Sequence, residues 1–139
     1  MNRSRSFFVD TSAWVALFSN DDKYHVAASE FWKSVPQNHW QILTNDYILD
    51  ETYTLLRREQ NGLQRAILAH RVIEESHLVE SLEVSTQDRQ RGWELFTTYT
   101  EKFISFTDCI CIAMLHQLGV YQVFSFDSDF VRAGFVVKP

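Results

Sequence analysis

Two short apolar runs that each end in an aspartate constrain this chain more than any other feature. Phe7-Phe8-Val9 leads into Asp10, and Val123-Phe124-Ser125-Phe126 leads into Asp127. Runs this short, rich in aromatic and β-branched residues, read as buried parallel strands. In an open α/β sheet, ligands bind outside the carboxyl ends of the strands. Two acids at two such ends therefore point at one place.

The segments between these runs supply the helices that parallel strands require. A first strand is expected over 5–9, with Thr11 or Ser12 capping the helix that follows. A second helix runs over 24–35 and is ended by Pro36; a short strand covers 41–44. A third helix spans 46–59, with Ile48, Leu49, Tyr53, Leu55 and Leu56 as its core face and Asn61-Gly62 as its stop. The fourth covers 63–75, with a stripe of Leu63, Ala66, Ile67, His70 and Ile73. A strand at 82–85, a helix capped by Thr86-Gln87-Asp88 through residue 100, and a helix opened by Ser105 and stopped by Gly119 come next. A strand at 121–126, a helical turn at 127–132 and a last strand at 135–137 complete the chain. This alternation predicts an α/β fold, a three-layer α/β/α sandwich around a central parallel sheet.

At 139 residues the whole chain, 1–139, is expected to form one domain. Only four Gly and two Pro argue for long regular elements rather than a turn-rich sandwich. No apolar run reaches the ~18 residues that span a bilayer. The basic start, Met1 to Ser6, is not followed by a long apolar segment or a small-residue cleavage site. A soluble, cytoplasmic protein with no membrane partner is expected. Cys109 and Cys111 diverge in direction on a helix, so they read as core residues rather than a disulfide or zinc pair.

The net charge of −5 does not suggest a nucleic-acid binder that relies on bulk electrostatics. A nuclease stays open, because bound cations would cancel part of the acid. Arg57, Arg58, Arg65 and Arg71 form the one loose basic cluster, which as readily describes a solvated helix face.

Each acidic station has an ordinary reading beside the functional one. Asp10 could simply cap a helix; Thr11 and Ser12 place hydroxyls beside it that could hold a carboxylate, a metal-bound water or a phosphate. Glu51 shares a helix face with Tyr47 and Leu55, four residues to either side, so it turns inward while the adjacent Asp50 points elsewhere. Asp108 sits three residues after Ser105, where capping acids are common, yet it opens a helix apolar on most sides. Asp127 and Asp129 could be turn residues, with Asp127 the better ligand candidate. Gathered together these carboxylates repel, each pair costing about 4 kcal/mol at ~4 Å and an effective dielectric of ~20. A hard divalent cation such as Mg²⁺ or Mn²⁺ reverses that sign.

Taken in order, Val9-Asp10-Thr11-Ser12, Leu49-Asp50-Glu51, Thr107-Asp108 and Ser125-Phe126-Asp127-Ser128-Asp129-Phe130 resemble the motifs of the PIN domain ribonucleases. Order, spacing and length are most similar to the VapC-type toxins of bacterial toxin–antitoxin pairs. Asp22 and His25 also resemble a family segment that opens the second helix; no catalytic role is assigned to His25. The one departure is Ser125, where the family often has Thr. The resemblance implies an endoribonuclease dependent on Mg²⁺ or Mn²⁺, with Asp10, Glu51, Asp108 and Asp127 as the catalytic, metal-binding acids and Asp129 as a further ligand candidate. Thr11, Ser12, Arg57 and Arg58 are the candidates for holding substrate phosphates. It also implies a homodimer and a small antitoxin protein that blocks the site. Three alternatives stay open: an inactive PIN-like module that binds protein, an RNA-maturation nuclease outside a toxin–antitoxin pair, and a signalling receiver domain. The receiver domain needs a lysine at the end of a late strand, and here Lys138 is the penultimate residue.

Overall fold

The computed structural model describes residues 5–100 and 104–139. The basic start through Ser4 lies outside them. Among the described residues five strands form one wholly parallel sheet: β1 (Ser6–Val9), β2 (Gln41–Asn45), β3 (Val79–Leu82), β4 (Gln122–Phe124) and β5 (Val136–Lys138), in the order β3-β2-β1-β4-β5. The chain first builds outward from β1 to β2 and β3, then returns to lay β4 on the other side of β1. Right-handed crossovers reverse face when strand order reverses. Accordingly α1 (Thr11–Phe18), α2 (His25–Ser34), α3 (Asp46–Arg57) and α4 (Gly62–Glu75) pack among themselves, while α5 (Thr86–Thr98) packs on α6 (Phe106–Leu118). A short α7 (Asp129–Arg132) joins β4 to β5. This is the three-layer sandwich that the alternating runs predict.

The apolar runs do form the buried centre. Phe7, Phe8, Val9, Ile42, Leu43, Val123 and Phe124 are fully enclosed, between Trp14 and Ala28 of the first two helices and Ile112 and Leu115 of α6. Trp14 carries its one polar atom inward and donates Nε1–H to Thr44 Oγ1 at 3.2 Å. Both cysteines are free and buried, as expected, and Cys111 accepts a bond from the Asn45 amide at 3.4 Å.

Several boundaries differ from the sequence reading. The cap of α1 is Asp10 itself, whose Oδ1 accepts from Ala13 N–H at 3.2 Å, rather than Thr11 or Ser12. The third strand lies at Val79–Leu82, not 82–85. Ser85 is instead the cap of α5, locked in a reciprocal pair with Asp88 (3.0 and 2.9 Å), which withdraws it from the sheet. Gly62 does not stop α3; it is the first residue of α4. A Cβ there would fall 2.3 Å from the Leu56 carbonyl, so glycine is required by close approach of the two helices. The buried face of α4 is Gly62, Ala69 and Ile73, whereas Leu63 and Ile67 are exposed, so the expected stripe is out of phase. Small residues face inward because α3 and α1 lie close. Among the described residues no helix is long and apolar enough to cross a membrane.

Candidate metal centre

The reversal of strand order places the carboxyl ends of β1 and β4 side by side. Asp10 follows β1 directly, and Asp127 follows β4 by three residues. The middle of α3 and the first turn of α6 bring Glu51 and Asp108 to the same cavity. One cavity of about 470 Å³ is lined by Asp10, Glu51, Asp108, Asp127 and Asp129, together with Thr11 and Ser12. Five acids from four separate stretches of chain are thereby gathered at the point where ligands bind in open α/β sheets.

Asp10 is the most enclosed of them. Its Oδ2 accepts from Ser125 Oγ at 2.6 Å, and its Oδ1 accepts from Ser12 Oγ at 2.7 Å and from Ala13 N–H. Ser12 Oγ in turn accepts from Phe126 N–H at 2.9 Å, and Ser125 Oγ accepts from Asp127 N–H at 2.9 Å. The two serines thus stitch the end of β4 to the start of α1 through one carboxylate. Burial nevertheless outweighs these bonds and pushes the Asp10 carboxyl up to about 6. Asp108 is pushed up to about 7, first by burial and then by the charges of Asp10, Asp127, Asp129 and Glu51. A carboxyl that feels four other carboxylates is the electrostatic signature of convergence.

Carboxylate oxygens of Asp108, Asp127 and Asp129 lie within 4.8 Å of one another. This oxygen-only donor set, short of positive charge, fits a hard divalent cation better than zinc or a soft metal. Asp129 also accepts a close bond from Arg132, three residues on at the end of α7, and Asp127 Oδ1 accepts from Asp129 N–H at 3.0 Å. Glu51 accepts a short bond from Thr11 Oγ1. Asp50 is exposed and Glu51 half-buried, the division that the helix phase predicts. Their face differs from expectation, however. Glu51 and Leu55 border open recesses rather than the core, with Leu55 40% exposed, and Tyr47 borders one recess while packing against Val84, Ile110 and Met114. Ile48, Leu49, Thr52 and Leu56 make the buried side of α3.

The arginines separate. Arg58 lines a second recess that adjoins the acid cavity through Glu51 and Leu55 and also includes Tyr47 and Thr107. Arg57 is exposed and lines neither recess. Arg65 is committed elsewhere, paired with Asp21 (2.8 Å) and Glu59 (3.0 Å) and bonded to Ser19 and Asn20. His70 is exposed beside the Tyr53 ring. Lys138 Nζ lies over the Trp40 ring at 5.4 Å and is not part of the cavity wall, unlike the lysine a receiver domain needs. The sequence reading missed Lys23, Tyr24 and Phe126, which all line the cavity. It also treated Ser125 as a mild departure, although this serine holds Asp10 and the Asp127 backbone together.

Residues 7–136 match the PIN domain. The chain is 35% identical over 133 residues to the 23S rRNA-specific endonuclease VapC20 of Mycobacterium tuberculosis, covering 95% of this chain and 98% of that protein. The crystal structure of that VapC20, described as a sarcin-ricin loop cleaving toxin, superposes with a TM-score of 0.85 at 34% identity, over 96% of this chain and 99% of the other. Two further structures share the fold at 12% identity. VapBC2 from Rickettsia felis, bound to a promoter DNA fragment, has a TM-score of 0.71 over 96% and 97% of the two chains. DNA-bound VapBC from Salmonella typhimurium has a TM-score of 0.68 over 96% of each. With the acids in family order on the family's fold, the chain belongs to the PIN domain family.

Proposed function

We propose that residues 1–139 form one nuclease domain, an Mg²⁺- or Mn²⁺-dependent endoribonuclease and the toxin of a toxin–antitoxin pair, which hydrolyses phosphodiester bonds of ribosomal RNA in the cytoplasm. The observation that carries this is the meeting of Asp10, Glu51, Asp108, Asp127 and Asp129 in one cavity at the β1–β4 switch point. The likeness to VapC20 supports the choice of ribosomal RNA, and the VapBC structures support an antitoxin partner.

Asp108, Asp127 and Asp129 would hold the cation, with Asp10 completing the set from the buried side. When bound, the ion lowers the pKa of a coordinated water and stabilises charge developing on the phosphate. Glu51, oriented by Thr11, would orient the attacking water or accept its proton. No histidine lines the cavity. Arg58 is placed to hold a phosphate further along the strand, in the adjoining recess.

The test is direct. The purified protein, incubated with large-subunit ribosomal RNA and Mg²⁺ or Mn²⁺, should give one dominant cut. Chelator should abolish it, and so should Asp127→Asn. An intact RNA under all metal conditions would favour the inactive, protein-binding alternative.

A further inference from the structure

The stretch Asp22-Lys23-Tyr24-His25 spans the turn into α2, and its first three residues line the same cavity, Asp22 as a further half-buried acid. Its local bonds fix the backbone on either side of Tyr24. Asp22 Oδ1 accepts from Tyr24 N–H at 2.8 Å, closing a tight turn. His25 Nδ1–H donates to the Ala16 carbonyl at 2.8 Å and ties the start of α2 to α1. The Tyr24 ring is thereby laid flat on Phe126, with centroids 4.4 Å apart and planes within 3°. Phe126 is itself anchored by its N–H bond to Ser12 and by the Phe124 ring behind it, 5.9 Å away. Phe126 lies between Ser125 and Asp127, so this aromatic pair is built into the acid site.

Holding a cation needs no such wall. The chain carries a net charge of −5, and the cavity's acids repel a polyanion. Beside the bound cation and Arg58, a neutral ring and the cation nearest it can add to the attraction for RNA. Phe126 covers one face of Tyr24, and the Lys23 Nζ, at the end of a flexible side chain, sits over the ring at 5.0 Å from its centroid, so a base stacking on the other face displaces this ammonium toward its own phosphate. Tyr24 remains 39% exposed. We propose that Tyr24, backed by Phe126, is the platform on which an unpaired nucleobase next to the scissile phosphate stacks, while Lys23 pairs with that nucleotide's phosphate. The inference rests on the nuclease reading and deepens it. A base can lie flat on a protein ring only after leaving its helical stack, so the platform selects loops and bulges over duplex RNA.

The test uses a synthetic RNA hairpin spanning the mapped cut, and a series of the same hairpin with one abasic nucleotide at each flanking position. Tyr24→Leu should lower kcat/KM by about tenfold or more, chiefly through KM, while Tyr24→Phe retains it. The metal-induced rise in melting temperature should be the same in both variants. One abasic position should cost the wild type a similar factor and cost Tyr24→Leu nothing. Equal sensitivity of the two proteins at every position, or an insensitive wild type, would overturn the platform and leave the nuclease standing. If Tyr24→Leu fails to fold, the abasic series on the wild type decides, together with Lys23→Gln, which should reduce the slope of log affinity against log salt by about one; an unchanged slope or an insensitive wild type counts against the platform. A wild type that cleaves no RNA overturns the nuclease reading, and this inference with it.

Discussion

At the scale of single residues, the site is organised by hydroxyls as much as by acids. Ser125 donates to Asp10 and accepts from the Asp127 backbone, so it sets the spacing of two acids from two strands. Ser125→Ala should weaken Mn²⁺ binding by about 10- to 100-fold, as loss of groups that orient metal ligands commonly does. Ser125→Thr keeps the hydroxyl and should restore binding; calorimetric titration distinguishes the two. Glu51 and Asp50 give a second contrast. Glu51→Gln should remove RNA cleavage without unfolding the protein, because Gln fills the same space and can still accept from Thr11. Asp50 is exposed, and Asp50→Asn should leave stability within about 0.5 kcal/mol and cleavage near wild type. Equal loss of activity in the two variants would place the wrong side of α3 at the site.

At the scale of elements, α6 must be held firmly, since Asp108 rides on its first turn. Gly92 of α5 permits this. A Cβ there would lie 2.6 Å from Ile110 Cγ1 and 2.8 Å from Ile110 Cα, on the backbone of α6 itself. Gly92→Ala should therefore cost about 1–3 kcal/mol and lower the melting temperature, because α6 cannot yield without moving Asp108. The strands and most helices were legible in the sequence, because parallel strands are continuous apolar runs and helices carry a periodic stripe. The meeting place of Asp10 and Asp127 was legible for the same reason, since strand ends fix it, whereas Glu51 and Asp108 reach it from helices α3 and α6. The face of α4 was not, since its large residues Leu63 and Ile67 look outward and its small Ala69 looks inward. Periodicity alone favours the large ones. Nor was the aromatic wall, because Tyr24 and Phe126 come from opposite ends of the chain and meet only after β4 is laid beside β1.

At the scale of the whole molecule, exposed Leu63, Ile67 and Leu68 on α4 and Trp93 on α5, 55% exposed, are surplus to a monomer's core. They are what the homodimer implied by the family resemblance would cover, and for that dimer sedimentation should give about twice the 16.3 kDa chain mass. A clean monomer at micromolar concentration would reject the dimer and leave the nuclease untouched. The stacked acids also make folding depend on pH. Asp10 and Asp108 bind protons more tightly folded (about 6 and about 7) than unfolded (3.8 for each). The metal-free fold is therefore most stable below about pH 4 with respect to these two groups, and loses that contribution as pH rises towards 7. A cation binds only the ionised carboxylates, so its stabilisation should grow across the same window. The most direct measurement is the melting temperature at pH 7.5 with and without Mn²⁺, for the wild type and for Asp10→Asn combined with Asp108→Asn. Convergence of the acids on a metal predicts a rise for the wild type, and a double variant that melts higher than the metal-free wild type and no longer responds. A metal response of the same size in both proteins would contradict it.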